Sequence, residues 1–155
     1  MPIEQKAAGY RTEVRISGSV QSPAASLHVA PGFRWGRVDA GCFLEVNPWY
    51  SVERLRMHLG TTNVGAFVHY LHPLSADADL RFGVGGGASI LNESLAGSPA
   101  GKIGPYLNLR LLGLVWHWES IALTLDGFDL AVAAPQMIGW PVVYAQQRVS
   151  VGVLF

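Results

Sequence analysis

Apolar and polar residues alternate with a period of two along most of this chain, and such alternation predicts β-strands with two different faces. The clearest example is residues 80–91, where Leu80, Phe82 and Val84 share one face. Eight segments follow the pattern, and we predict strands at residues 10–18, 27–38, 41–47, 61–71, 78–91, 103–113, 119–127 and 143–155. Eight is the smallest common strand number for a closed barrel, and side chains just fill its interior. The sequence therefore predicts an all-β, antiparallel up-and-down barrel of the transmembrane type.

The predicted connections alternate between long and short. The long ones follow the first, third, fifth and seventh strands, at residues 19–26, 48–60, 92–102 and 128–142. Bacterial outer-membrane barrels have long extracellular loops and short periplasmic turns in this alternation. We expect a turn of helix at 51–57, capped by Ser51, and a turn at 114–118. The barrel is expected to be one domain, residues 10–155, after a flexible segment at 1–9.

The composition favours a barrel that faces lipid. Half of the residues are hydrophobic and 14% are charged, against about 25% charged residues in ordinary soluble domains. No stretch reaches the ~20 apolar residues of a spanning helix, so only a closed barrel would pair every backbone polar group in lipid. The net charge is +0 without a basic patch, so we expect no nucleic-acid partner. Cys42 is the single cysteine, and we interpret it as a small apolar side chain.

The face opposite the apolar one gathers charge, and in a closed barrel this face would line the interior. Its charged residues are Arg15, Arg34, Glu45, Arg81, Arg110, Asp126 and Arg148, with Glu13 on the same face. Buried ions must be paired and hydrogen-bonded, because their desolvation otherwise outweighs their attraction. We therefore predict a salt-bridge network that plugs a closed lumen. A narrow polar path or an anion-binding lumen is the alternative.

The last predicted strand ends on an aromatic residue. Val149, Val151, Val153 and Phe155 share one face of it. This end resembles the C-terminal signal of bacterial outer-membrane barrels, which the barrel-assembly machinery reads. Gln147 departs from the pattern, because such strands usually carry an aromatic or apolar residue there.

A broader resemblance covers roughly residues 40–155. Residues 45–51, 60–65, 104–107 and the last strand from Tyr144 resemble small outer-membrane β-barrel proteins of proteobacteria, especially myxobacterial-type sequences. The resemblance implies a bacterial outer-membrane location, contact with outer-membrane lipid and contact with the barrel-assembly machinery during biogenesis. It implies no catalytic residues. Residues 1–9 lack the apolar segment of an export signal, so we expect that such a signal has been removed.

Other candidate chemistry is weaker. His69 and His72 have an odd spacing, so a strand would direct them to opposite faces and no metal site is predicted. The glycine-rich residues 83–87 are not followed by a Lys-Ser/Thr pair, so we expect no phosphate loop and no cofactor. Aromatic girdles are predicted from residues near strand ends: Trp35, Trp49, Tyr50, Tyr70, Trp116, Trp118, Trp140 and Tyr144.

Three hypotheses for function remain. The first is a non-enzymatic outer-membrane barrel, monomeric or part of an envelope assembly, that acts through its loops or as a structural element. The second is a soluble, lipocalin-like calyx for an apolar ligand, which requires apolar residues inside. The third is a lipid-modifying enzyme, for which His117, Glu119 and Ser120 are close in sequence. In a strand, His117 and Glu119 would share a face while Ser120 would lie on the other.

Overall fold

The computed structural model describes residues 8–20, 25–52, 57–92, 101–136 and 142–155. Its strands are β1 (Gly9–Ser19), β2 (Ala25–Trp35), β3 (Val38–Val52), β4 (Met57–Pro73), β5 (Ala78–Leu91), β6 (Ile103–Trp118), β7 (Ile121–Gln136) and β8 (Val142–Leu154). Each strand pairs antiparallel with the next, and β8 pairs with β1, so the sheet closes into a barrel. The predicted all-β, eight-strand, up-and-down fold is confirmed. No α-helix in the described part of the chain is long and apolar enough to cross a membrane.

The strands are staggered around the barrel. A path of paired residues runs around the sheet, from β1 to β8 and then through each strand down to β2. The path starts at Ser19 of β1 and returns to β1 at Gly9 instead of at Ser19. Such a stagger tilts the strands against the barrel axis and leaves an interior that side chains just fill. We call the end that contains Gly9 and Phe155 the terminal end, and the opposite end the loop end.

Strands β6 and β7 run further than predicted. The turn predicted at 114–118 is wrong, because β6 continues to Trp118 and the connection consists of Glu119 and Ser120. The backbone of Glu119 has φ of 49°, in the left-handed region that favours glycine or asparagine. Strand β7 then extends to Gln136, so much of the loop predicted at 128–142 is strand.

Two β-bulges explain why the pattern misplaced these boundaries. The register shifts in β6 around Leu112 and in β7 after Asp126. At each bulge two successive residues face outward, Leu111 with Leu112 and Gly127 with Phe128. An extra residue moves the following side chains to the other face. A strict period of two therefore ends where the strand itself does not.

The remaining boundaries differ at both ends of the barrel. At the terminal end, β2 stops at Trp35 and β3 begins at Val38, instead of the predicted residues 38 and 41, because residues 36 and 37 form the turn. At the loop end, β3 continues to Val52 and β4 begins at Met57, so the loop predicted at 48–60 is mostly strand. The helical turn predicted at 51–57 is wrong at residues 51, 52 and 57, which lie in these two strands. Residues 53–56 fall outside the described residues. Of the flexible segment predicted at 1–9, residues 1–7 lie outside the described residues. Gly9 is already the first residue of β1.

Apolar side chains close the interior at the terminal end. Leu71, Val115, Ala122 and Leu154 form a buried cluster there. Leu154 interrupts the polar face of the last strand in the sequence, and its inward position gives the reason. A second interior cluster draws on β2, β3, β4, β6, β7 and β8 and reaches the loop end. Its members are Ala30, Phe43, Phe67, Tyr106, Ala131, Ala133 and Tyr144. Glycines make room for its rings, since a Cβ at Gly32 or at Gly41 would lie 3.0 Å from the ring of Phe67.

Candidate functional site

The structure directs all the charged side chains of the predicted inner face into the barrel. They are buried on strands that span the whole sheet: Glu13, Arg15, Arg34, Glu45, Arg81, Arg110, Asp126 and Arg148. Their alternation with outward apolar residues places them there, because each strand has one inward and one outward face.

One group of charges centres on Asp126. Its carboxylate lies 3.0 Å from Arg15, 2.9 Å from Arg81 and 3.1 Å from Nε of Arg110. Arg81 also donates to Glu13 at 2.8 Å. Three guanidinium groups from β1, β5 and β6 therefore share one carboxylate on β7.

A second group lies nearer the loop end and centres on Arg148. This guanidinium donates to Glu45 at 2.8 Å and to the Tyr106 hydroxyl at 3.0 Å, and it lies 3.5 Å from Asp129. Asp129 is also 3.8 Å from Arg15, which links the two groups. A continuous set of ion pairs thus crosses the interior.

We call this set the interior network: Glu13, Arg15, Glu45, Arg81, Arg110, Asp126, Asp129 and Arg148. Its four arginines face four carboxylates, so its formal charge is balanced. Arg34 lies apart from it and forms a two-point ion pair with Asp39 on the neighbouring strand, at 2.6 and 2.9 Å. Paired in this way, buried ions recover part of their desolvation cost.

Sequence reasoning missed Asp129 and Asp39. Asp129 was assigned to a loop because it follows the bulge in β7. Asp39 was not assigned to the inner face because its strand was expected to begin at residue 41. A usable signal was present, since five predicted inward arginines against only two or three carboxylates leave an unpaired positive charge inside a closed barrel.

Two histidines, His28 and His69, are buried within this interior. His69 stacks on Phe67, and its Nε2 lies 2.9 Å from Arg110. His28 stacks on Phe43 with Nδ1 3.5 Å from Glu45. Among the described residues, no group of three His, Cys, Asp or Glu side chains could hold a metal ion.

Two interior cavities border the network, and each is about 10 Å³ in volume. One is lined by His28, His69 and Arg110, and the other by Arg11, Asp39 and Arg81. A cavity of this volume holds about one water molecule. The side chains of the barrel therefore occupy most of the space that a pore or an apolar ligand would need at these levels.

Exposed aromatic side chains ring the terminal end. Trp35, Tyr70, Trp116 and Trp118 are all directed outward at the ends of their strands. Tyr144 was predicted to join a girdle, and that prediction is wrong. It is 6% exposed, faces inward and shares a 2.7 Å hydrogen bond with Thr61. The side chains at positions 49 and 50, and residue 140 as a whole, lie outside the described residues.

The candidate enzyme residues do not adopt the predicted arrangement. Nε2 of His117 lies 2.6 Å from Oδ2 of Asp79. Glu119 and Ser120 form the turn after β6, so the strand alternation that would place His117 and Glu119 on one face ends at Trp118.

The fold is similar to several solved structures. The crystal structure of Neisserial surface protein A matches with a TM-score of 0.67 and 14% identity, over 96% of this chain and 98% of that chain. The chain shares its barrel fold. The N-terminal β-barrel domain of Pseudomonas aeruginosa OprF matches with a TM-score of 0.56 and 13% identity, over 96% and 97% of the two chains.

A designed protein from a study of de novo transmembrane β-barrels matches with a TM-score of 0.52 and 14% identity, over 94% of this chain and 92% of that chain. No protein-family model matches the sequence, and no curated protein is similar enough to match it. At these identities the likeness concerns the fold alone.

Proposed function

We propose that this protein is an integral β-barrel of the bacterial outer membrane. Its interior is filled by its own side chains, and it acts as a structural element or through its loops rather than as an enzyme. The observation that carries this proposal is the distribution of charge between the two faces of the sheet.

The outward positions of the described strands carry no Asp, Glu, Lys or Arg, whereas the interior network and the Arg34–Asp39 pair are buried. Large apolar side chains such as Leu107, Leu125 and Val151 are exposed instead. A contiguous apolar surface around a whole barrel is costly in water and favourable in lipid.

The same distribution argues against a soluble calyx. A calyx needs an apolar cavity inside and a polar surface outside. Here the middle of the barrel contains four arginines and four carboxylates, and the two cavities beside them are each of one-water size. The interior therefore offers little space to an apolar ligand.

The comparisons add support at the level of the fold. One similar protein is a designed transmembrane barrel and another is named a surface protein of Neisseria. Val149, Val151 and Val153 of β8, with Phe155 directly after the strand, form an exposed apolar face, as a segment must to contact an assembly partner. We propose that this face is read by the barrel-assembly machinery and that outer-membrane lipid surrounds the finished barrel.

Refolding tests the membrane proposal. We expect the urea-denatured chain to recover β-structure in detergent micelles or phospholipid vesicles and to aggregate in buffer alone. A monodisperse, folded protein in plain buffer would contradict membrane residence.

The assembly signal has a separate test. Phe155→Ala should lower the yield of barrel in bacterial outer membranes while leaving refolding in detergent unchanged. Phe82→Ala, which shortens an outward aromatic side chain on β5, across the barrel from β8, is the matched control. Equal yields for both variants would remove the role assigned to Phe155.

A further inference from the structure

A groove of about 720 Å³ lies at the terminal end of β6 and β7, beside the turn that joins them. The outward side chains of Ile121, Leu123 and Val153 form its apolar wall. Two indoles from β6 flank this wall, with Trp116 59% exposed and Trp118 72% exposed. The groove thus joins an apolar strip along the barrel to aromatic rings at the edge of the strands.

Two carboxylates complete the rim. Asp77 comes from the turn between β4 and β5, and Glu119 comes from the turn between β6 and β7. The backbone nitrogen of His117 donates to the carbonyl oxygen of Asp77 at 2.7 Å, which holds the two turns together. Among the described residues neither carboxylate forms an ion pair, whereas nearby Asp79 contacts His117.

We propose that this groove binds a phospholipid whose headgroup carries an ammonium group, as an ethanolamine headgroup does. An acyl chain would lie along Leu123 and Val153, and the ammonium would lie between the indole rings and the two carboxylates. Indoles attract cations over their faces, and they sit at the level of lipid headgroups when one side is apolar and the other is wet. An anionic headgroup would meet the like charges of Asp77 and Glu119.

This inference rests on the proposed membrane location, because only a barrel in lipid would present the groove to a phospholipid. The chain supplies an internal comparison at the same end. Trp35 is also exposed there, but its turn carries Arg37 instead of a carboxylate. Headgroup selectivity at Trp116 and Trp118, and not at Trp35, therefore separates a specific site from general contact between indoles and lipid.

The experiment titrates the refolded barrel in neutral detergent micelles with short-chain phosphatidylethanolamine or with phosphatidylglycerol of the same chain length. The readout is the NMR shift of the indole N–H signals of Trp116, Trp118 and Trp35. We expect saturable shifts at Trp116 and Trp118 with about tenfold tighter binding of the ethanolamine lipid. An exposed ion pair and a cation–π contact each contribute about two- to fivefold. Trp35 should respond to both lipids alike.

The double variant Asp77→Asn, Glu119→Gln should lower the ratio of the two affinities from about tenfold to about two- to fivefold, the share of the cation–π contact that the indoles retain. Arg37→Gln should leave the ratio unchanged. Equal affinities in the unaltered protein, or a Trp35 response with the same preference, would overturn the site. If instead the proposed membrane location is wrong, the experiment gives a different result. The chain would then stay folded and monodisperse without detergent, before any lipid is added.

Discussion

The interior network predicts a large cost for Asp126→Asn. Asp126 is fully buried, and its carboxylate lies within 3.1 Å of three arginines. Asparagine keeps the shape of the side chain, so the variant removes charge without creating a cavity. It leaves four arginines facing three carboxylates in a closed interior. Loss of one partner from a buried ion pair costs about 3–5 kcal/mol, and we expect a loss of unfolding free energy in that range.

The assay is urea unfolding of the barrel refolded in phospholipid vesicles, followed by tryptophan fluorescence. Arg37→Gln is the control that removes an exposed charge, because Arg37 lies on the turn between β2 and β3, and it should change the free energy by less than ~0.5 kcal/mol. The double variant Asp126→Asn, Arg15→Met restores the balance of charge. It should be less destabilised than the sum of its single variants by about 1–3 kcal/mol.

Two results would refute this reasoning. If Asp126→Asn unfolds at the same urea concentration as Arg37→Gln, the interior is hydrated enough to replace the lost carboxylate. If the double variant equals the sum of the single variants, Arg15 and Asp126 are not coupled, although the two side chains are 3.0 Å apart.

Three further predictions concern the two faces and the turns. Val84→Arg, on the outward face near the middle of β5, should lower the unfolding free energy in lipid by about 2–4 kcal/mol. Val143→Arg, near the loop end, should lower it by only about 0–1 kcal/mol, and urea unfolding in vesicles measures both. Gly87→Ala should lower the melting temperature because its Cβ would collide with the carbonyl oxygen of Val64, while Gly86→Ala, with no atom closer than 3.7 Å, should not. Glu119→Gly should raise the unfolding free energy by about 1 kcal/mol, since glycine adopts a positive φ without strain; an unchanged midpoint would contradict this.

The fold was predictable because alternation of faces is a local property that eight segments express independently. Residues 80–91 show it fully, and the structure places Leu80 and Phe82 outside and Arg81 inside as the pattern requires. Boundaries at the bulges were not predictable in this way. A bulge is set by the pairing with neighbouring strands. Gly113 and Gly127 stand beside the two bulges, but glycine alone does not distinguish a bulge from regular strand, since residues 83–87 carry four glycines.

The interior was partly predictable. The face of each arginine followed from alternation, but its partner did not, because partners come from strands that are distant in sequence. Tyr144 is a different case. It shares its parity with Arg148 in β8, so alternation alone would have placed it inside, and its position near a strand end misled the girdle prediction.

The separation in sequence between the members of the interior network has a consequence for folding. Arg15 and Asp126 are 111 residues apart, and Glu45 and Arg148 are 103 residues apart. Contacts between distant residues form late and slow the folding of a domain. In a barrel with β1 and β8 still separate, part of the interior network would lack its partners. Unpaired charges would then lie in a nonpolar solvent, which is unfavourable. Pairing of β1 with β8 thus completes the ion pairs of Glu13 and Arg15, and a partly assembled barrel is disfavoured by its own electrostatics.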